Sequence, residues 1–239
     1  MNILLLAAGG SIAEYEVNDY PITLSECNGR PLIQHLVEVC LGIDDNINLI
    51  IAFKRYDIQK FYLDNIVQIL APSAKIIAIE KNTKGAACTA LLAMPYIDNN
   101  DELLILNAND YLQLKLKEPI LNFRERGLDA GTLTFDSIHP RYSYVRLEKN
   151  LVIEAAEKRP ISRHATAGFY WFKHGNEFVA AAKRMIYKDS SLHGIFYICP
   201  TFNELILNQK NIGIYEIDNN LYHPIKDERQ FNYLEASKK

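Results

Sequence analysis

Two short stretches carry the residue types that phosphate chemistry requires. In "LLLAAGGS" an apolar run ends in Gly9, Gly10 and Ser11. Glycine has no Cβ, so backbone N–H groups at such a turn can converge on an anion. Read alone, the segment is equally compatible with glycines that only make a tight turn. In "LLILNANDYL", Asn109 and Asp110 lie just past another apolar run, at the edge where open α/β sheets bind ligands. A carboxylate there suits Mg²⁺, which takes oxygen ligands and is usually held by one or two carboxylates together with substrate phosphates. An ordinary turn or helix cap is the other reading. Neither G-x-x-x-x-G-K-[ST] nor G-x-G-x-x-G occurs, so the chain has no P-loop and no dinucleotide fingerprint.

These residues need a sheet to hold them. "NILLLAA", "INLIIAF", "AKIIAIE" and "ELLILNA" are short, continuously apolar and separated by helical segments, the pattern of parallel strands covered on both faces. Leu32, Ile33, Leu36, Val37 and Cys40 recur at helical spacing after Pro31, a residue suited to a first helical turn. "KGAACTALLAMPYI" predicts a second, alanine-rich helix starting at Gly85. After residue 130, "AGTLTFDS", "YSYVRLE", "LVIEAAE" and "TAGFYWF" are rich in aromatic and β-branched residues and predict strands that extend the sheet and add a lid-like portion. Helices over "NEFVAAAKRMIY" and "PTFNELILNQ" and a last strand "IGIYEI" follow. The fold class expected is α/β, a mostly parallel sheet flanked by helices.

Composition bounds the function. With 239 residues, 49% hydrophobic and 23% charged, the chain can bury roughly 70–75% of its unfolded surface as one domain. The net charge is −3 and the pI about 6.1, without a basic block, which gives nucleic-acid binding no support and points to small ligands. Cys27, Cys40, Cys88 and Cys199 are far apart and show no CxxC pairing, as reduced thiols would be. "NILLLAA" is too short to span a membrane and lacks a signal-peptide cleavage pattern, so a cytoplasmic protein is expected. A homo-oligomer is left open.

The order of "LLLAAGGS", "YPITLSECNGRPLI", "TKGAACTALLA", "LNAND", "HPRYSYVRLE", "AAEKRPIS", "TAGFYWFKHGNEFVAAA", "FYICPTFNELI", "IGIYEI" and "YHPIKDERQF" resembles the nucleotide-diphospho-sugar transferase (GT-A) superfamily. Within it, the chain is similar to nucleotidyltransferase-like proteins of bacterial capsule biosynthesis, and the resemblance covers nearly its whole length. It implies a Rossmann-like sheet with a nucleotide-binding half over 1–115 and an acceptor-binding half over 116–239. By this resemblance Ala7, Ala8, Gly9, Gly10 and Ser11 hold the NTP phosphates, Gly85 and Ala86 contact the base, Asn109 is a further nucleotide-binding residue, and Asp110 is the ligand of a Mg²⁺. Glu157, Lys158 and Gly168 then contact a sugar phosphate, and Asp110 and Lys158 are the expected catalytic pair. Arg141, Tyr142 and His223 are candidates for the same acceptor pocket. The implied reaction is attack by a phosphate oxygen on the α-phosphorus of CTP, UTP or dTTP, with pyrophosphate leaving.

The sequence departs from that family in its cations. Where such enzymes carry G-x-G-[ST]-R and then a P-K pair, this chain has Ile12 and Ile22, and Arg30 does not replace them by position. The usual W-x-D-x-G-T-P segment reads "YHPIKDE", offering His223 and Asp227. Either the chemistry has moved to other cations, with Lys84, Arg141, Lys158 and Arg159 as candidates, or the site now serves another ligand. Blander readings stand beside these. Lys84 can be a solvated helix-start residue, and Arg141 can lie over Tyr142 or Tyr144. His139, His164 and His223 can be structural, Tyr197 and Glu204 can belong to a helix packed under the pocket, and Trp171 can be core. A glycosyltransferase using a nucleotide-sugar and a non-catalytic binding protein are the competing functions.

Overall fold

The computed structural model of the protein describes residues 1–9, 20–27 and 29–225. β1 (Asn2–Leu6) is followed by the short pair β2 (Glu26–Cys27) and β3 (Arg30–Pro31), then by β4 (Asn48–Lys54), β5 (Lys75–Ile79) and β6 (Leu103–Asn107). β1 lies between β4 and β6, and β5 pairs on the outer edge of β4, all parallel. Alternation divides these strands between two layers. Ile3, Leu5, Leu49, Ile51 and Phe53 face one core with the helix Leu32–Leu41, while Leu4, Leu6, Ile50 and Ala52 face another with the helices Ala86–Leu91 and Gly175–Tyr187. Both faces are dry, which is why these runs are continuously apolar.

β7 (Asp110–Leu112) leaves the sheet, and β8 (Ala130–Asp136), β9 (Ser143–Glu148), β10 (Leu151–Glu157), β11 (His164–Phe172) and β12 (Ile212–Glu216) complete it. β11 runs antiparallel to β6, β8 and β9, and β12 is parallel to β8. The result is one mixed, nine-stranded sheet with a parallel centre. The β9–β10 pair forms its far end, in the region where the sequence pattern predicts a lid-like addition. β13 (Tyr222–Pro224) pairs antiparallel with β7 in a separate ribbon.

Two predicted helices are shorter than their patterns. The alanine-rich segment splits into Ala86–Leu91 and Met94–Ile97, because Pro95 has no N–H to donate to the Leu91 carbonyl four residues back and is tolerated only in the first turn of a new helix. The helix expected over "PTFNELILNQ" covers Thr201–Ile206, and Gln209 at φ 58° turns the chain toward β12. Helices Arg55–Phe61, Leu63–Leu70 and Lys117–Glu125 fill the remaining crossovers.

Below the sheet, Phe123 stacks on Trp171 with ring centroids 5.7 Å apart, both essentially without exposure. Gly131 leaves the space that the Phe123 ring occupies, since a Cβ there would lie 2.6 Å from it. Phe123→Ala is expected to lower the unfolding free energy by about 3–5 kcal/mol. Gly131→Ala should cost about 1–3 kcal/mol by overpacking, and lose that cost in the Phe123→Ala background. Urea unfolding of the two variants and the double variant measures this.

Candidate active site

The site is built where β6 stops. A two-residue turn, Ala108 and Asn109, separates Asn107 from Asp110 at the start of β7. Strict alternation would send neighbouring side chains to opposite faces, but the turn interrupts it, and Asn109 and Asp110 line the same cleft. Asn107 Nδ2 donates to Asp110 Oδ2 at 3.0 Å, and the Tyr222 hydroxyl donates to Asp110 Oδ1 at 2.8 Å. Burial, reinforced by the Asp110 charge, pushes the Tyr222 hydroxyl far above its ordinary pKa, so it remains a donor. The backbone fixes this contact from both sides: Pro224 pairs with Asp110, and Ile225 N–H donates to Asn109 C=O at 2.7 Å. Across the cleft, β11 is irregular between Thr166 and Tyr170. Gly168 sits there at φ 67°, and a Cβ on it would overlap the Asp110 carboxylate.

The second wall comes from the end of β10. Lys158, in the left-handed region at φ 51°, donates from Nζ to the Tyr197 hydroxyl at 2.9 Å. That bond, with the nearby charge of Glu157, raises its pKa. The Glu157 carboxylate accepts from the Ser143 hydroxyl, yet burial outweighs that bond and raises its pKa. Arg141 lies over the Tyr142 ring, 4.6 Å from its centroid, and donates to the Tyr142 hydroxyl. Together with Thr166 and Tyr170 these groups enclose a cleft of about 240 Å³.

A larger cleft, about 840 Å³, adjoins it and is lined by Ala8, Gly9, Lys54, Thr83, Gly85 and Thr89 among others. Ala86, Asn107, Asn109 and Tyr197 line both. Gly85 has φ 112°, and a Cβ on it would overlap the Phe196 carbonyl. The same carbonyl accepts the Ala87 N–H at 3.0 Å. The Thr83 and Thr89 hydroxyls stand 2.7 Å apart beside the Gly85 carbonyl.

The structure thus brings together Ala8, Gly9, Gly85, Ala86, Asn109, Asp110, Arg141, Tyr142, Glu157, Lys158, Gly168 and Tyr197. Gly10, Ser11, Ile12 and Asp227 lie outside the described residues. Ala7 packs toward the opposite core. His223 is placed by strand alternation opposite Tyr111, ring centroids 6.2 Å apart, and the cleft is lined by its neighbours Tyr222 and Pro224 instead. Ile22 packs against the core, and Arg30 pairs with Glu38 on the surface. Lys84 is exposed outside both linings, while Arg159 pairs with Glu154 at 2.8 Å. Glu204 is buried on Lys188 at 2.9 Å, and His164 pairs with Glu216. The His139 carbonyl accepts the Tyr144 hydroxyl at 2.6 Å. Cys40 and Cys199 are buried free thiols, and burial pushes Cys40 up to about 12. Sequence reasoning missed Lys54, Thr83, Asn107, Ser143 and Tyr222. Asn107 and Tyr222 stood inside quoted segments, but only the β7–β13 pairing reveals that they converge on Asp110.

Among the described residues, no three His, Cys, Asp or Glu side chains form a metal-binding group. One carboxylate still fits Mg²⁺ that takes most of its oxygens from substrate and water. No helix among the described residues is long and apolar enough to cross a membrane.

Two confluent clefts open at the carboxyl ends of the central strands of this mixed α/β sheet, the edge where open α/β sheets bind ligands. The sequence pattern of the nucleotidyl transferase family matches residues 19–201. The chain belongs to that family. It is 26% identical over 176 residues to the bifunctional protein GlmU of Methanocaldococcus jannaschii, a match covering 72% of this chain and 40% of that protein. Among solved structures, the nucleoside-diphosphate-sugar pyrophosphorylase of Vibrio cholerae RC9 superposes with a TM-score of 0.79 at 21% identity, over 97% of this chain and 99% of that one. A UDP-glucose pyrophosphorylase complexed with UDP-glucose gives 0.74 at 15% identity, over 99% and 97%. At these identities the two structures establish the fold.

Because the Glu157 pKa is raised on folding, the folded state holds its proton more tightly than the unfolded one. Stability from this group is fully present below the unfolded value and is lost as pH rises through the folded value. Glu157→Gln is therefore expected to flatten the stability-versus-pH curve in that window and to be relatively more stable above it. Thermal melts from pH 4 to pH 8 on both proteins check the sign.

Proposed function

We propose that the protein transfers a nucleoside monophosphate from an NTP, with CTP, UTP or dTTP as donor, to a phosphorylated sugar, alditol or other small phosphate, and releases pyrophosphate. The observation that carries this reading is the junction of the two clefts at Asn107, Asn109 and Tyr197, with Asp110 and Lys158 on the smaller side. The larger cleft is of the size that small-molecule sites have. Residues 1–115 supply most of the nucleotide half and the later residues most of the acceptor half, with Ile195 and Tyr197 crossing over to the larger cleft.

In the reaction, an acceptor phosphate oxygen forms a bond to the α-phosphorus. The α–β phosphoanhydride bond breaks, and its electron pair leaves with pyrophosphate. No protein nucleophile is required. Two anionic reactants must be aligned and their repulsion removed. Lys158, kept protonated by Tyr197 and Glu157, holds the acceptor phosphate, and Arg141 adds charge at the same cleft. Asp110 would hold a Mg²⁺, which supplies positive charge to the phosphate oxygens when bound. Tyr222, Asn107 and the Gly168 bulge hold Asp110 in position, while Glu157 and Ser143 offer hydrogen bonds to acceptor hydroxyls. A cytoplasmic place, where NTPs are available, and a role in surface-polysaccharide assembly complete the reading.

One observation favours a non-catalytic binder: Ile22, in the position of an expected lysine, is taken up by the core. Pyrophosphate release with each NTP, with and without Mg²⁺, against a panel of phosphorylated acceptors separates the two. Turnover is expected, and Asp110→Asn and Lys158→Ala should each lower kcat/KM at least about a hundredfold. Unchanged rates in both variants would remove their roles. Nucleotide binding without turnover would establish the binder, and release of a nucleoside diphosphate from a nucleotide-sugar would establish a glycosyltransferase.

A further inference from the structure

Tyr197 lines both clefts, and its backbone belongs to the wall of the larger one. The Phe196 N–H donates to the Lys84 carbonyl at 2.7 Å, and the Phe196 carbonyl accepts the Ala87 N–H at 3.0 Å. These bonds seat Tyr197 against the turn at Gly85, where no Cβ fits beside the Phe196 carbonyl. From there its side chain reaches into the smaller cleft. The hydroxyl accepts from Lys158 Nζ at 2.9 Å, and that ammonium lies 5.1 Å from the ring centroid. Lys158 is held at its other end too: its backbone takes φ 51°, and its N–H donates to the Tyr142 carbonyl at 3.0 Å. Lys158 is exposed, and an exposed lysine ordinarily samples many rotamers. Fixed at both ends, it keeps its ammonium beside the residue that the two clefts share. A neutral hydroxyl fixes an ammonium without cancelling its charge, which a carboxylate partner would do, so the charge stays available to a phosphate.

We propose that Tyr197 is a positioning residue for the transfer: mounted on the wall of the larger, nucleotide cleft, it sets the ammonium of Lys158 against the acceptor phosphate where the two clefts meet. The proposal rests on the nucleotidyltransferase reading above and adds one residue to its acceptor side.

The test compares the wild type with Tyr197→Phe, Lys158→Ala and the double variant. Tyr197→Phe keeps the ring and removes the hydroxyl, and circular dichroism checks its folding. Pyrophosphate release is measured with CTP and UTP against glucose 1-phosphate, glycerol 3-phosphate and ribitol 5-phosphate. Tyr197→Phe is expected to lower kcat/KM for the acceptor about tenfold and to leave the KM for the NTP unchanged. In the Lys158→Ala background the same change should cost nothing further, because a positioning residue acts through the group it positions. Acetylation of Lys158, followed by mass spectrometry at pH 8, needs no turnover. Loss of the bond from Lys158 to Tyr197 lowers the pKa of the amine and should speed its labelling about three- to tenfold, with Lys117 as the unchanged reference. Losses that multiply in the double variant overturn the proposal in favour of a separate contact between Tyr197 and a ligand. Labelling that does not change in Tyr197→Phe overturns it whether or not the protein turns over. No pyrophosphate release from the wild type overturns the nucleotidyltransferase reading and this role in transfer with it, whereas release that is equal in the wild type and Tyr197→Phe overturns the role alone.

Discussion

The site depends on one half-buried carboxylate held in one orientation. Asp110 is gripped by the Asn107 amide from across its own turn and by the Tyr222 hydroxyl from 112 residues away. A charged group in a half-buried cleft costs free energy unless hydrogen bonds compensate it. The pairing of β13 with β7 provides that compensation, and so ties the end of the described chain to the middle. The irregularity in β11 is the other half of the arrangement, because a regular strand with any side chain at Gly168 would occupy the volume of the carboxylate.

From this carboxylate the two clefts acquire different electrostatic characters. The smaller cleft mixes Asp110 and Glu157 with Arg141 and Lys158, and its aromatic walls are polar at their tips through Tyr142, Tyr197 and Tyr222. Such a lining suits a ligand with a phosphate at one end and hydroxyls at the other. The larger cleft has an apolar floor from Leu6 and Ile79 and a rim of backbone at Gly9 and Gly85. Gly85 matters there for its conformation: at φ 112° and against the Phe196 carbonyl, a side chain is excluded twice over. The clefts join because Asn107, Asn109 and Tyr197 belong to both, the geometry that transfer between two bound molecules requires.

Much of the fold was legible in the sequence because its signals are local. Continuous apolar runs mark β1, β4, β5 and β6; β1, β4 and β6 are buried on both faces, and β5 is the half-buried edge strand beside them. The glycine turn and the N-A-N-D turn follow from where those runs end. The clamp on Asp110 was not legible: Tyr222 lies 112 residues away, and in a chain with 14 tyrosines nothing local sets it apart. His223 was singled out because histidine is chemically versatile, but the alternation of a three-residue strand gives the cleft to its neighbours. Pro95 broke a helix that alanine content favoured. In each case a pairing or a backbone restriction overrode side-chain type.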